Sequence, residues 1–158
     1  SYQRVEVEPC WALEQAVISL EPEFKEKQLS LETSVDLSEE ASLSADNERL
    51  NQLFTNLLTN CLRYTDAGGR VRISVSQRGE EFVCFDIEDS APSVTEEHLI
   101  KLFDRLYRVD SSRSRELGGA GLGLSICYNI VKGHNGTIEA KESSLGGLLI
   151  RVCLPLFS

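Results

Sequence analysis

The chain has 158 residues, 41% of them hydrophobic, which suits one domain with a core of its own. Its formal net charge of −9 argues against a general nucleic-acid binder, which needs a basic face. No apolar run is long enough to span a bilayer, and no signal-peptide pattern opens the chain. Five cysteines, Cys10, Cys61, Cys84, Cys127 and Cys153, form no C-x-x-C pair and stand mostly among apolar neighbours. They read as small core residues of a reducing compartment. With only His98 and His134 beside them, a zinc site is not expected.

In chain order, Trp11, Leu13, Ala16, Val17 and Leu20 form an approximate helical stripe within Pro9 to Phe24. Leu29, Leu31 and Val35 predict a strand, and Ala41 to Ala45 a second, short one. Asp46 has the chemistry of an N-cap for a long helix reaching about Arg63. "TDAGGR" is a turn. Val71, Ile73 and Val75, then Val83, Phe85 and Ile87, alternate with polar residues as half-buried strands do. Residues Asp89 to Gly121 are irregular apart from a short helix around Glu96 to Phe103, and a segment of that length inside a compact domain reads as a lid. A helix follows from about Leu122 to Lys132. Asn135-Gly136 turns into a strand at Thr137–Ala140, and Gly146-Gly147 leads into a last strand, Leu148–Leu154. The expected fold class is α+β, a two-layer sandwich of a mixed, mostly antiparallel sheet on about three helices.

Three stretches carry chemistry. The helix "DNERLNQLFTNLLTNCLRYT" gathers Leu50, Leu53, Phe54, Leu57, Leu58 and Cys61 on one side and Gln52, Asn56, Asn60 and Arg63 on the other. That polar row is either a solvated face or a ligand-binding one. Asn is a mediocre helix former, and a solvated face ordinarily prefers Glu and Lys. Amide oxygens ending in a guanidinium could meet Mg²⁺ and phosphate. In "FVCFDIEDSAP", Asp89 falls on the apolar face of its strand, where a carboxylate is costly unless paired. It could accept a hydrogen bond from an exocyclic amine such as adenine N6, or simply open the turn at Asp-Ser before Ala-Pro.

The third stretch is "GGAGLGLS", with four glycines in the six positions from Gly118 to Gly123, directly before a helix. It is a hinge or a place where a phosphate approaches bare backbone at a helix N-terminus. A P-loop would need Lys where Leu124 stands, and a dinucleotide fingerprint would need Gly there after a strand. Both templates fail, so a phosphate would be held by another architecture.

The order of these features resembles the catalytic ATP-binding domain of bacterial sensor histidine kinases, in the ATPase group that includes gyrase, Hsp90 and MutL. "NLLTNCLRYT" looks like the N box, "DSAPSV" stands in the place of the first glycine box, "LFDRLYR" looks like the F box, and "GGAGLGLSI" looks like the second glycine box. "LRYTDAGG", "DSAPSV" and "NIVKGHNG" look closest to envelope-stress sensor kinases of the BaeS type. The resemblance covers residues 1–158 as one Bergerat-type domain with a mobile ATP lid over about 89–121. It implies ATP and Mg²⁺ as cofactors. Asn60 would be the Mg²⁺ ligand, Asn56 and Arg63 would meet the phosphates, and Tyr64 would pack on the nucleotide. Asp89 would bind adenine N6, with Ala91, Val94, Phe103 and Tyr107 around the base and lid. Arg108 and Arg113 or Arg115 would reach the γ-phosphate. Gly119, Gly121, Leu122, Gly123 and Leu124 would bring backbone to the phosphates.

Departures from the family pattern are also visible. Arg63 stands where Lys is more usual, Ala91 and Ser93 replace the glycines of the first glycine box, and Leu148 replaces a Thr or Ser near the adenine. The resemblance further implies a γ-phosphoryl transfer to a histidine on a separate dimerisation hairpin of the same receptor, and from there to a response regulator. Neither His98 nor His134 has the surroundings of an acceptor. The chain is therefore expected to be a monomeric, cytoplasmic fragment of a bacterial inner-membrane homodimer. The dimerisation hairpin and the membrane anchor would lie outside it, and nucleic acid is not an expected partner.

Overall fold

The computed structural model describes residues 2–90 and 119–158, with side chains from residue 124 onward in the second stretch. Seven strands and three helices follow one another among the described residues. They are β1 (Val5–Val7), α1 (Trp11–Glu26), β2 (Ser30–Asp36), β3 (Leu43–Ala45), α2 (Asn47–Tyr64), β4 (Arg70–Arg78), β5 (Phe82–Asp89), α3 (Gly119–Gly133), β6 (Thr137–Glu142) and β7 (Leu148–Pro155). Five strands form one sheet in the order β2-β4-β5-β7-β6. β2 runs parallel to β4 and the other pairs are antiparallel. The three helices cover one face, which is the expected two-layer α+β sandwich. No helix among the described residues is long and apolar enough to cross a membrane.

The alternation read from the strands sorts their side chains between the two faces. Val71, Ile73 and Val75 of β4, Val83, Phe85 and Ile87 of β5, and Ile150, Val152 and Leu154 of β7 are buried against the helices. From the other side α2 contributes Leu50, Leu53, Phe54, Leu57, Leu58 and Cys61. The Phe54 and Phe85 rings meet at 4.9 Å between centroids, tying the middle of α2 to the middle of β5. Each such buried side chain contributes about 1.5–3 kcal/mol of transfer free energy.

Several details differ from the sequence expectations. β1 had no signal of its own; it exists because Val5–Val7 pair with Leu43–Ala45. Trp11 is about half exposed (48%), because α1 turns Ala12, Leu13, Ala16 and Phe24 inward instead. α3 begins at Gly119, three residues earlier than expected, so Gly119 and Gly121 lie in its first turn. Asp89 belongs to β5, and the predicted helix at Glu96 to Phe103 lies outside the described residues. Among the cysteines, Cys10, Cys61 and Cys127 are buried thiols as expected, but Cys84 and Cys153 are joined in a disulfide. The β5–β7 register sets these two directly opposite each other on the face away from the helices, a long-range pairing that spacing along the chain does not reveal.

Candidate functional site

α2 is fixed first at its beginning. Asp46 is extended and its Oδ1 accepts from the N–H groups of Glu48 (3.1 Å) and Arg49 (3.3 Å), as an N-cap does. The Asp46 N–H in turn donates to Nε2 of His134, at 3.1 Å. Because Nε2 accepts, Nδ1 carries the proton and donates to the carbonyl of Ile130, at 2.8 Å. His134 is therefore a neutral, buried bridge between the end of α3 and the start of α2. Burial holds its pKa below the usual 6.5, so the helix dipole does not make it a cation here.

α2 and α3 lie antiparallel. Cys127 Sγ of α3 reaches the carbonyl of Leu53 in α2 (3.8 Å), and seven residues further on His134 reaches Asp46, seven residues back. Both helices rise about 1.5 Å per residue. The same register carried the other way sets residues 119–123 level with residues 57–61. The first turn of α3, whose N–H groups have no partner within the helix, thus comes beside Asn60. Gly119 and Gly121 have N–H groups of this kind, whereas Leu122 is placed as Leu50 is in α2, where the N–H bonds the carbonyl of the capping residue. The N–H of Gly123 falls to the carbonyl of Gly119 in a regular helix. The Leu124 side chain is buried in the core, and its N–H falls to the carbonyl of Ala120 in the same way.

β5 runs alongside the same stretch of α2 and ends in Asp89. Its carboxylate is buried, as the strand period required, and it is paired. Oδ1 accepts the N–H of Leu148 (3.1 Å), and the backbone carbonyl of Asp89 accepts the N–H of Gly147 (3.1 Å). Cys61, next to Asn60 on α2, hydrogen-bonds with the Asp89 carboxylate. Burial and that neighbouring negative charge push the Cys61 thiol up, so the sulfur keeps its proton and serves as donor. Cys61 had looked like an ordinary core residue, and only the fold brings it to Asp89.

Asn56 and Asn60 are half-buried on the outer side of α2, while Arg63 and Tyr64 are exposed at its end. Arg63 also lines a groove of about 540 Å³ with Glu23, Glu26, Lys27, Thr59 and Leu62, between the ends of α1 and α2. The structure thus sets Cys61, the neighbour of Asn60, against Asp89, and the α2–α3 register puts the start of α3 level with that turn of α2. Ala91, Val94, Phe103, Tyr107, Arg108, Arg113 and Arg115, and with them most of the expected lid, lie outside the described residues. Among the described residues no group of three or more acidic, histidine or cysteine side chains is gathered as a metal site.

A helix row of amides, a buried acid closing a strand and a glycine-rich helix start, set on a two-layer sandwich, define a class of nucleotide-binding ATPase domains. The chain belongs to the histidine kinase-, DNA gyrase B- and HSP90-like ATPase family, whose model matches residues 45–158. It is 46% identical over 156 residues to the signal transduction histidine-protein kinase BaeS of Escherichia coli strain K12, an alignment covering 99% of this chain and 33% of BaeS. It is 38% identical over 112 residues to the sensor protein SrrB of Staphylococcus aureus strain NCTC 8325, covering 71% of this chain and 19% of SrrB. Its fold matches the catalytic domain of histidine kinase ThkA with a TM-score of 0.79 at 23% identity, over 97% of this chain and 95% of that one. These likenesses agree with the resemblance carried by the N box, the F box and the second glycine box. The chain spans a third or less of the length of these two curated relatives.

Proposed function

We propose that this domain binds Mg-ATP and transfers its γ-phosphoryl group to a histidine on a separate dimerisation hairpin of the same receptor, as the first chemical step of two-component signalling. The observation that supports the reading is the contact of the buried Asp89 with Cys61, the neighbour of Asn60, level with the first turn of α3. Asp89 accepts a hydrogen bond from the adenine exocyclic amine. The first-turn N–H groups of Gly119 and Gly121 and the positive end of α3 meet the phosphates. Asn56 and Arg63 position them, and Tyr64 covers the base.

Asn60 offers one neutral oxygen with no acidic cluster beside it among the described residues. That donor set fits Mg²⁺, which binds through few protein ligands and completes its octahedron with phosphate oxygens and water. When bound, the ion neutralises charge on the phosphates. Arg108, with Arg113 or Arg115, is assigned to the γ-phosphate. In the transfer, the bond from the γ-phosphorus to the bridging oxygen breaks, a bond to the acceptor imidazole nitrogen forms, and ADP and the ring proton leave. The protein contributes position and charge stabilisation. The parent protein is read as a membrane-anchored homodimer with this domain in the cytoplasm, handing the phosphoryl group on to a response regulator. A second reading, a module that senses ATP without transfer, is favoured by Ala91 and Ser93 in place of two glycines.

Calorimetric titration with a non-hydrolysable ATP analogue and Mg²⁺ tests the first half of the proposal. Binding is expected, and Asp89→Asn should weaken it by about 1–3 kcal/mol, the cost of an acceptor lost inside a buried site. Equal affinity for ATP and GTP would rule out the role of Asp89. The second half is tested with γ-labelled ATP. The chain alone should stay unlabelled, whereas an added cognate hairpin should take up acid-labile, base-stable label. A hairpin that stays unlabelled while ATP binds leaves the sensing module as the function.

A further inference from the structure

The turn that holds Asp89 is itself held from the opposite face of the sheet. Gly147 and Leu148, whose N–H groups bind Asp89, close the β6–β7 turn that begins at Ser143. Ser143 shapes this turn. Its N–H donates to the carbonyl of Gly147 (2.8 Å), and its Oγ accepts the N–H of Leu145 (2.9 Å). The Ser143 hydroxyl then donates to Oε1 of Glu88, at 2.7 Å. Glu88 Oε2 accepts from Nε of Arg72 (3.2 Å), and the same guanidinium donates to Oγ of Ser144 (3.2 Å). Glu88 is 5% exposed, Ser143 8% and Asp89 6%.

Glu88 and Asp89 are adjacent buried carboxylates on opposite faces of β5. One grips the turn, and the turn grips the other. A sheet that needed only a stable hairpin would not require a buried acid there, since a buried ion pair such as Glu88–Arg72 costs desolvation that an apolar pair would not.

We infer that Glu88 and Ser143 are positioning residues for adenine recognition: through the β6–β7 turn they fix the carboxylate of Asp89 in the orientation that meets the exocyclic amine. The inference rests on the adenine role proposed for Asp89. It also gives the Leu148 position a function in spite of its apolar side chain. A hydroxyl there is not needed to contact Asp89, because the backbone N–H does so.

The test compares ATP with the triphosphate of unsubstituted purine riboside, which lacks the exocyclic amine. Both are titrated calorimetrically into the whole chain, with melting temperature recorded in parallel. Wild-type protein should prefer ATP. Ser143→Ala should weaken ATP on the order of fivefold, the value of one ordering hydrogen bond, and leave the amine-free analogue unchanged. Ser143→Thr, which keeps the hydroxyl, should restore the preference. Glu88→Ala should act in the same direction, and adding Ser143→Ala to it should change the ATP preference no further, because the two residues act in one chain of contacts. Should Ser143→Ala lower the melting temperature while the preference for ATP stays intact, or weaken both ligands equally, the network is structural and the inference is overturned. Should wild type show no preference, or Asp89→Asn retain it, the adenine role of Asp89 falls first and takes this inference with it.

Discussion

At its N-terminal end α2 is sealed, and at its C-terminal end it is open. The Asp46 cap, the neutral His134 bridge and the Tyr2 ring stacked on His134 at 5.0 Å tie the backbone at the beginning of α2 to the rest of the protein, while Glu48 and Arg49 stay exposed. Fourteen residues later Asn60 begins an end where polar side chains stand half-buried or exposed and face outward. On the proposed function one helix serves as anchor and as ligand surface, and the two tasks are separated along its length. The Asp46 and His134 groups at the sealed end are satisfied by protein, so changing them should affect stability. Groups at the open end are the ones proposed to meet the ligand, so changing them should affect binding.

The strongest way to break this division is His134→Ala. It leaves the Asp46 N–H without its acceptor and opens a cavity, and should cost about 2–4 kcal/mol by chemical denaturation. Protein that remains folded should bind ATP with wild-type affinity; an affinity loss matching the stability loss would mean the two ends are not separate. Asp46→Ala is smaller, about 1 kcal/mol for the lost cap. Acid acts on the same end. Burial, with a further contribution from Arg4, depresses the His134 pKa, while Ile130 and Asp46 oppose that shift. The unfolded chain consequently takes up a proton near pH 6.5 that the folded chain does not. The contribution of His134 is complete above about pH 6.5 and is lost as pH falls from there through the folded pKa. Denaturant midpoints measured from pH 7.5 to 5 should fall for wild type, and less steeply for His134→Gln. The smallest effect on stability should come from Asn60→Ala, within about 0.5 kcal/mol because no core volume is removed. The same variant should lose most of the Mg²⁺ enhancement of ATP binding. Unfolding of this variant would show that the asparagine row is structural.

The open end was largely legible in the sequence. Asn56, Asn60 and Arg63 share one side of a helix whose apolar stripe is unmistakable, and Asp89 sits out of character on a buried strand face. The Asp46 cap could also be read, because capping is local chemistry. The sealed end and the supports of Asp89 were not legible. His134 looks like any histidine at a helix terminus until the antiparallel packing brings it to Asp46, 88 residues away. Glu88 reads as the polar member of an alternating strand, and its partner Ser143 is 55 residues distant. The Cys84–Cys153 bond spans 69 residues and depends on register between two strands that are not consecutive in the chain. Periodicity reports which way a side chain points, but pairing across the sheet decides what it meets.

The seat of Tyr2 has a mechanical consequence. A Cβ on Gly133 would fall inside the Tyr2 ring, so the bare backbone there is what lets the incoming segment lie flat against the end of α3. The Tyr2 hydroxyl reaches the carbonyl of Asn129, one turn earlier on the same helix. α3 has 15 residues, and at about 1.5 Å each it is roughly 22 Å long. Tyr2 stands at one end of it and the glycine turn at the other. A tilt of about 5° around His134 displaces Gly119 by roughly 2 Å, a shift comparable to a hydrogen-bond length. The flat seat of Tyr2 on Gly133 thus fixes the direction of α3, and a small error in that seat would be magnified at the far, glycine-rich end of the helix.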